Sequence, residues 1–472
     1  MPLDKVMKIL LVYPEADRSV SAYNDYGAIG EPIALEYLAG AARDGGHEAH
    51  ILDLRFHADE LDSTLESLQP DIVGVTGYSQ HVLRMLEVCR RSRSLCPDAT
   101  TICGGHHATL EPVDFCEDEV DFIVQGEGTV PFGRLLRELS GQADVAEIPG
   151  LWRRESPFEG VKALRAFRLD ADTAAFKIDE VAKPDRTLVD RDREHYFISG
   201  LSNIALLRTT VGCPYRCSFC ALWVAMDGRY YIHEVARTIE ELKEISAPSI
   251  MLVDDEPFIN RRHMNELAEA IEEAGIEKKY YAYCRTDSFI RERDLLLRWK
   301  ALGLTKLFIG VESIFDAELD RYNKRQKRKQ ILETFDRARE IGIGLHTNFI
   351  VHPSYTAEQI DDLKSFIREA GLELPTFTVW TPIPGTVPDF DNVVRRQPNG
   401  RPDWRFFDLQ NAVTETRLPA GEFHKRYMGL YHEFQDLYEG NMNPYLASLI
   451  AEEMAARARG AERVGAGALG PS

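Results

Sequence analysis

Short apolar runs alternate with amphipathic stretches along the first third of the chain. The apolar runs have the length of buried β-strands, and the stretches between them carry apolar residues at helical spacing. This alternation predicts an α/β domain built on a doubly wound parallel sheet, whose ligand site lies beyond the carboxyl ends of the strands. The predicted strands are residues 8–13, 49–54, 71–76, 100–103 and 121–124, and the predicted helices are residues 32–44, 59–68, 82–95 and 130–139.

The same alternation resumes after residue 200 with six strand candidates: residues 203–207, 249–253, 280–283, 306–310, 345–351 and 377–380. Six such units predict a partial (β/α)6 barrel, in which chemistry lies on loops at the carboxyl ends of the strands. The stretch before it is charged and irregular, which is typical of a connector. The predicted division is a sheet domain at 1–141, a connector at 142–199, the barrel at 200–390, and a mainly helical C-terminal region with a flexible tail at 391–472.

Composition and charge narrow the possible functions. The 472 residues, 44% of them hydrophobic, are enough to bury more than one core. The chain has 56 Lys and Arg against 76 Asp and Glu, a net charge of −20 that repels nucleic acid and anionic lipid. We find no apolar run of membrane-spanning length and no signal peptide at the N-terminus. The sequence therefore predicts a cytoplasmic protein with no nucleic-acid partner and no transmembrane segment.

Three of the eight cysteines stand within one short loop, at the carboxyl end of the first barrel strand. They are Cys213, Cys217 and Cys220. A [4Fe–4S] cluster is normally held by four thiolates, so three would leave one iron open for a small molecule. The spacing therefore points to a metal cluster that also binds a ligand.

Two other interpretations of the three cysteines stay open at this stage. Cysteines at this spacing would also line one face of a helix as small buried residues, although Gly212 and Pro214 disfavour a helix there. A structural zinc ion is the other alternative. Zinc requires four ligands, and the nearby His233 has no second histidine after it at zinc-finger spacing.

With Phe219 just before the last cysteine, the triad resembles the signature of radical S-adenosylmethionine (SAM) enzymes. The resemblance implies that the amino and carboxylate groups of SAM chelate the open iron, and that one electron from the cluster cleaves SAM to a 5′-deoxyadenosyl radical. It also implies contacts with SAM at the ends of other barrel strands. The implied residues are Phe219, Asp254 or Asp255 (amino group), Arg285 (carboxylate or a nearby acid), Glu312 (ribose), Asn348, and Pro384 with Gly385 (adenine).

Glycine and small polar residues follow three strands of the first domain, where they let backbone approach a flat ligand closely. Placed before the cysteine triad, these turns resemble the cobalamin-binding domain of a large subgroup of radical SAM enzymes. The implied cobalamin contacts are Thr76, Tyr78, Ser79, Gly104, Gly105, His106, Gly126, Glu127 and Gly128. In other cobalamin proteins, an Asp-x-His-x-x-Gly run places a histidine on the lower face of cobalt. We find no such run in this sequence, so the resemblance implies a cobalamin without a histidine lower ligand.

Residues 253–259, 310–313, 407–413 and 416–419 are similar to the hopanoid C-3 methylase branch of this subgroup. The branch implies a methyltransferase that uses methylcobalamin, SAM and the cluster to methylate an unactivated carbon of a small molecule, lipid or natural product. It also implies an external one-electron reductant such as flavodoxin or ferredoxin. Because cobalt, cluster and substrate must meet, we expect the loop face of the sheet to cap the barrel mouth.

Other functions stay open. A cobalamin-dependent radical SAM cyclase or ring-rearranging enzyme would share the fold without methyl transfer. A tRNA methylthiotransferase needs a second cysteine cluster, and the remaining cysteines are scattered. The sequence does not identify the substrate. Aromatic or polar residues that line its pocket, or simply pack in the core, are Tyr78, His81, His106, Tyr230, Tyr281, Trp380 and Trp404.

Overall fold

The first alternating pattern folds into a seven-stranded sheet with helices on both faces. The computed structural model describes residues 5–17, 19–20, 28–142, 147–154, 167–170 and 178–439. The strand order is β3-β1-β4-β5-β6-β7-β8, with the first five strands parallel. The strands up to this point are β1 Lys8–Tyr13, β2 Ala28–Ile29, β3 Glu48–Asp53, β4 Ile72–Thr76, β5 Thr100–Gly104, β6 Phe122–Val124, β7 Leu151–Arg154 and β8 Phe167–Leu169.

Helices cover each face of this sheet with its own apolar core. One core joins the sheet to α1 and α5, and the other joins it to α2 and α3. The helices are α1 Ile33–Asp44, α2 Leu61–Leu68, α3 Val82–Leu95, α4 His106–Leu110 and α5 Thr129–Leu139. A parallel strand is buried on both faces, which explains why these strands read as continuous apolar runs in the sequence. The predicted doubly wound sheet is confirmed.

The region predicted as an irregular connector, residues 142–199, contributes to both neighbouring domains. Strands β7 and β8 extend the first sheet as antiparallel edge strands. Strands β9 Phe197–Ile198 and β10 Leu201–Ser202 form a small sheet with β2. The predicted connector thus contains short strands that the sequence did not indicate, because two to four residues are too few to show apolar periodicity.

The second pattern folds into a partial barrel of six parallel strands in chain order. They are β11 Ile204–Leu207, β14 Ser249–Leu252, β15 Lys279–Cys284, β16 Leu304–Glu312, β17 Gly344–Val351 and β18 Leu374–Val379. A short pair, β12 Thr210–Val211 and β13 Tyr231–Ile232, flanks the cysteine loop. The helices are α6 Leu222–Ala225, α7 Val235–Glu244, α8 Arg261–Glu273, α9 Thr286–Arg291, α10 Arg293–Ala301, α11 Asp316–Arg321, α12 Arg328–Ile341 and α13 Ala357–Ala370.

The chain after the barrel returns to both domains before it becomes helical. Trp404 and Phe407 pack into the core of the first sheet. Helix α14 Ala420–Glu433 then packs on the barrel and is followed by α15 Gln435–Glu439. The predicted tail lies outside the described residues, and among the described helices none has the length and apolar character needed to cross a membrane.

Candidate active site

A cavity of about 260 Å³ lies between the first sheet and helices α1 and α5. Its inner wall is apolar and includes Leu38, Ile102 and Phe132. Residues from the start of the barrel, among them Arg208 and Met226, complete the wall. The cavity therefore belongs to both domains, and the loop edge of the sheet faces the barrel region that carries the cysteines.

Seven of the nine residues predicted to contact cobalamin line this cavity. They are Thr76, Gly104, Gly105, His106, Gly126, Glu127 and Gly128. Gly105 has φ +93°, and a Cβ atom there would lie 2.3 Å from Thr76 Oγ1, so the turn requires glycine. Glu127 accepts hydrogen bonds from the hydroxyl (2.6 Å) and the backbone N–H (3.0 Å) of Thr129 at the start of α5.

The other two predicted residues, Tyr78 and Ser79, lie outside the cavity wall. The Tyr78 ring is 54% exposed and lies 5.5 Å from the His106 ring, measured between centroids. The hydroxyl of Ser79 bonds instead to His107 Nδ1 (2.9 Å), whose Nε2 bonds to Asp114 (3.1 Å). Ser79 is thus tied into the interior of the sheet domain.

Two residues of the cavity that the sequence did not predict are Arg208 and Tyr37. The Arg208 guanidinium lies over the Tyr37 ring, 4.4 Å from its centroid, and 3.8 Å from a carboxylate oxygen of Glu127. Arg208 directly follows β11, and this position at the carboxyl end of a barrel strand could have indicated a site residue. Tyr37 lies within α1 and carries no comparable signal.

The three cysteines lie on the irregular loop between β12 and α6. All three are free thiols; Cys217 is 6% exposed, and Cys213 and Cys220 are half-buried. No helix spans the loop, so the interpretation of the cysteines as one packed helix face was wrong. Within the described residues, no three His, Cys, Asp or Glu side chains are placed to hold one metal ion. Burial raises the pKa of Cys213 to about 11 and of Cys220 to about 12.

Neighbouring elements fix the conformation of this loop. The Trp223 indole N–H donates to the Cys217 carbonyl at 3.0 Å. The backbone N–H of Ser218 donates to the Tyr322 carbonyl at 2.9 Å, and Asn323 donates to the Arg216 carbonyl at 2.7 Å. The last two bonds come from the segment after β16, so two barrel units hold the cysteines in place.

Arg285 lies directly beside the cysteine loop. One of its guanidinium nitrogens is 3.8 Å from Cys217 Sγ, and the guanidinium covers the Tyr215 ring at 3.8 Å from the centroid. Its remaining nitrogens donate to Asp287 Oδ1 (2.9 Å) and to the Lys324 carbonyl (2.6 Å). These bonds hold the guanidinium in a fixed position against the cysteine loop.

Glu312 and Lys324 form a buried ion pair next to Phe219. Lys324 Nζ lies 2.7 Å from Glu312 Oε1 and 5.8 Å from the centroid of the Phe219 ring. Glu312 has φ +65°, a conformation that a non-glycine residue adopts at a cost of about 1–3 kcal/mol and that is often associated with function. The predicted Glu312 and Phe219 are therefore brought together on the same side of the barrel mouth.

The two adjacent aspartates differ in their surroundings. Asp254 is fully buried and accepts hydrogen bonds from the backbone N–H (2.7 Å) and hydroxyl (2.8 Å) of Thr209, and from the backbone N–H of Thr210 (2.5 Å). Asp255 is half-buried, and burial raises its pKa to about 6. Asp254 thus supports the loop that leads to the cysteines, whereas Asp255 is the less buried of the two aspartates.

Asn348 and the Pro384–Gly385 loop occupy different positions. The Asn348 amide donates to the Thr378 hydroxyl at 3.2 Å and accepts from Thr376 at 3.3 Å, so it is bonded to the neighbouring strand β18. Gly385 has φ +80°, and a Cβ atom there would lie 2.9 Å from Val224 and 3.3 Å from Leu110. The Gly385 loop therefore lies where α6 of the barrel meets α4 of the first domain.

Comparison with known proteins identifies this arrangement. Residues 22–136 match the B12 binding domain family and residues 207–367 match the Radical SAM superfamily. The hopanoid C-3 methylase of Methylococcus capsulatus is 32% identical over 92% of this chain and 81% of its own length. The anaerobic magnesium-protoporphyrin IX monomethyl ester cyclase of Rubrivivax gelatinosus is 23% identical over 91% of this chain and 77% of its own.

A solved structure shares the fold. It is the radical SAM methyltransferase TsrM from Kitasatospora setae, determined with cobalamin and a [4Fe–4S] cluster bound, with a TM-score of 0.67 and 20% identity over 94% of this chain and 95% of that one. The chain belongs to the cobalamin-binding radical SAM enzymes, in the family that includes the hopanoid C-3 methylase. Its cofactors are accordingly cobalamin, SAM and a [4Fe–4S] cluster.

Proposed function

We propose that this enzyme moves a methyl group from SAM, by way of cobalamin, to an unactivated carbon of a small-molecule, lipid or natural-product substrate. The observation that carries the proposal is the cavity shared by the turns of the first sheet and the residues around the cysteine loop. Cofactors that exchange reactive groups must meet in one enclosure that excludes water. Similarity to the hopanoid methylase favours methyl transfer over other radical reactions.

The residues fit these cofactors chemically. Three free thiols on a loop held by its neighbours are suitable ligands for an iron-sulfur cluster, and Cys213, Cys217 and Cys220 would hold it. The glycine turns and the apolar inner wall suit the broad ring and the aromatic tail of cobalamin. When bound, these groups supply a carbon radical derived from SAM and a methyl group held on cobalt.

The chain's own residues then bind and orient SAM at the barrel mouth. In this proposal the half-buried Asp255 receives the SAM ammonium, and the Glu312–Lys324 pair presents a carboxylate to the ribose. The guanidinium of Arg285 offsets the negative charge of the cluster ligands. Phe219 and the loop of Pro384 and Gly385 flank the adenine, while Asp254 and Asn348 act by positioning neighbouring backbone and side chains.

The partners and location follow from the same chemistry. Each cleavage of SAM consumes one electron, so we propose an external reductant such as flavodoxin or ferredoxin. A cluster with an open iron persists in a reducing compartment, which supports a cytoplasmic location.

The test is anaerobic incubation of the reconstituted protein with dithionite and SAM carrying an isotope label in its methyl group. We expect 5′-deoxyadenosine in every reaction. With a hopanoid triterpene as substrate, we expect a product whose mass has risen by one labelled methyl group. Magnesium-protoporphyrin IX monomethyl ester is the matched second substrate, because it is the substrate that the name of the cyclase relatives gives. A ring-closed product without the label would contradict methyl transfer and would identify the reaction as a cyclisation.

The control separates cluster chemistry from folding. Cys217→Ala is expected to lose iron, sulfide and 5′-deoxyadenosine formation together. Cys96→Ala removes an equally buried thiol of the first sheet domain and is expected to retain all three. Equal iron in the two variants would contradict the assignment of the cluster ligands.

A further inference from the structure

Arg208 lines the cavity, and its side chain is 21% exposed. Its Nε and Nη2 atoms are buried and make no hydrogen bond with any described residue. The Tyr37 hydroxyl, on the same cavity wall, is also buried and without a hydrogen-bond partner among the described residues. Two guanidinium nitrogens and one hydroxyl of residues on the same cavity wall thus lack a hydrogen-bond partner among the described residues.

The neighbouring carboxylates do not satisfy these donors. The nearest, on Glu127, is 3.8 Å away and accepts two hydrogen bonds from Thr129. Leaving buried guanidinium nitrogens without a hydrogen-bond acceptor is costly, since buried polar groups in proteins are generally hydrogen-bonded. The missing acceptor is therefore expected to come from a ligand.

The cavity specifies what kind of ligand would bring that acceptor. Its interior, between the sheet and helices α1 and α5, is lined by Leu38, Ile102, Val124 and Phe132, and suits an apolar group. Arg208 and Tyr37 add hydrogen-bond donors and one positive charge to this largely apolar wall, and Glu127, 3.8 Å from Arg208, adds one negative charge. A guanidinium binds the oxygens of phosphate especially well. The occupant thus combines an apolar body with an anionic group.

We propose that Arg208, assisted by the Tyr37 hydroxyl, binds the phosphodiester of the cobalamin nucleotide tail. The tail joins an apolar aromatic base to a phosphodiester, which matches the two parts of the cavity. This inference rests on the proposed function, because it assumes that cobalamin is the occupant. Arg208 acts as a positioning residue: it lies on the barrel, five positions before Cys213, and so fixes the cobalamin-bearing domain against the cluster loop.

The test compares hydroxocobalamin with diaquacobinamide, which retains the corrin ring but lacks the phosphodiester and the base. Binding to the full chain with reconstituted cluster is measured by equilibrium dialysis. For Arg208→Met we expect the Kd for hydroxocobalamin to rise about tenfold or more, as for loss of a charge-assisted hydrogen bond. The Kd for diaquacobinamide is expected to change by less than about twofold, because that ligand has no phosphodiester for Arg208 to bind.

Two further variants test whether Arg208→Met weakens binding through misfolding. Arg137→Met removes one positive charge from the exposed face of α5 and is expected to bind both corrinoids like the wild type. Arg208→Lys keeps the charge and is expected to lie between wild type and Arg208→Met, and it serves in the comparison if Arg208→Met does not fold. Iron content reports whether the barrel is intact.

The outcomes separate this inference from the proposed function. Equal weakening of both corrinoids by Arg208→Met, or no weakening of either, would overturn the role in phosphate binding. A loss of SAM binding alone would assign Arg208 to the SAM carboxylate instead and also overturn the proposal. Failure of the wild-type chain to bind hydroxocobalamin would refute the proposed function itself.

Discussion

Arg186 is the residue whose removal should most disturb the junction between the two domains. It lies in the 3-10 helix Arg186–His195 and pairs with Glu31 of the first domain and, at 2.5 Å, with Glu241 of α7 in the barrel. Glu31 in turn accepts the backbone N–H of Leu206 in β11 at 2.6 Å. The side chains of both glutamates are nearly inaccessible, so the ion pairs link the domains from inside.

Replacing this arginine leaves the buried Glu241 without its cation and leaves Glu31 paired with Arg193 alone. Breaking a buried ion pair from one side costs about 3–5 kcal/mol, so Arg186→Met is expected to destabilise the junction by that amount. Arg191→Met is the matched control, because Arg191 lies in the same 3-10 helix and its pair with Glu60 is about half-exposed. An exposed pair is worth less than about 1 kcal/mol.

The pH dependence gives a second measurement of the same effect. Burial, and then the nearby Glu31, raise the pKa of Glu36 well above its ordinary value. A carboxyl whose pKa is raised on folding stabilises the folded state below its unfolded pKa, and that stability is lost as pH rises through the folded pKa. Arg186→Met removes a nearby positive charge that favours the ionised form of Glu36, so the defect should grow as pH rises through the raised folded pKa of this carboxyl.

Native-state hydrogen exchange in α1 is the suitable assay, since it reports local opening of the junction. Protection in α1 should fall in Arg186→Met, more at neutral pH than at pH near 5, and stay unchanged in Arg191→Met. Equal loss in the two variants, or a defect that does not depend on pH, would refute the reasoning from buried charge.

Two further predictions concern the cofactor sites. Gly105→Ala places a Cβ atom against Thr76 and is expected to weaken cobalamin binding, measured by equilibrium dialysis. Gly141→Ala is the control: Gly141 has a similar φ of +76°, but a Cβ atom there has nothing within 4 Å, so cobalamin binding should not change. Lys324→Met leaves Glu312 without its cation and is expected to weaken SAM binding about tenfold, whereas Lys327→Met breaks only an exposed pair. Unchanged SAM affinity in Lys324→Met would argue against a role for this pair.

The long parallel strands and their helices were predictable because they are buried on both sides. Strand β1 and helix α3 have the predicted bounds, and most others differ by one to three residues. Strands β7 to β10 were missed because two to four residues carry too little periodicity, and pairing with distant strands decides their conformation. The C-terminal region was predicted as mainly helical, but its first part packs Trp404 into the distant core of the sheet.

Site residues were predictable where one loop carries the signal. The three cysteines and the glycine turns are local patterns, and the turns line the cavity between the domains. The choice between Asp254 and Asp255 stayed open because it depends on Thr209 and Thr210, which are distant in sequence. Arg208 and Tyr37 meet only through the packing of one domain against the other.

The contact between Arg208 and Tyr37 shows how the two domains depend on each other at the cavity. Arg208, Val211 and Met226 belong to the barrel but form part of the wall of the cavity in the first domain. Gly385 lies between residues of both domains, and Glu31 pairs with Arg186 while accepting a hydrogen bond from β11. Binding free energy gained in that cavity therefore depends on the barrel being docked, because an anion acceptor there contributes only while Arg208 is in place. Cobalamin affinity should accordingly fall in any variant that opens the junction, including Arg186→Met.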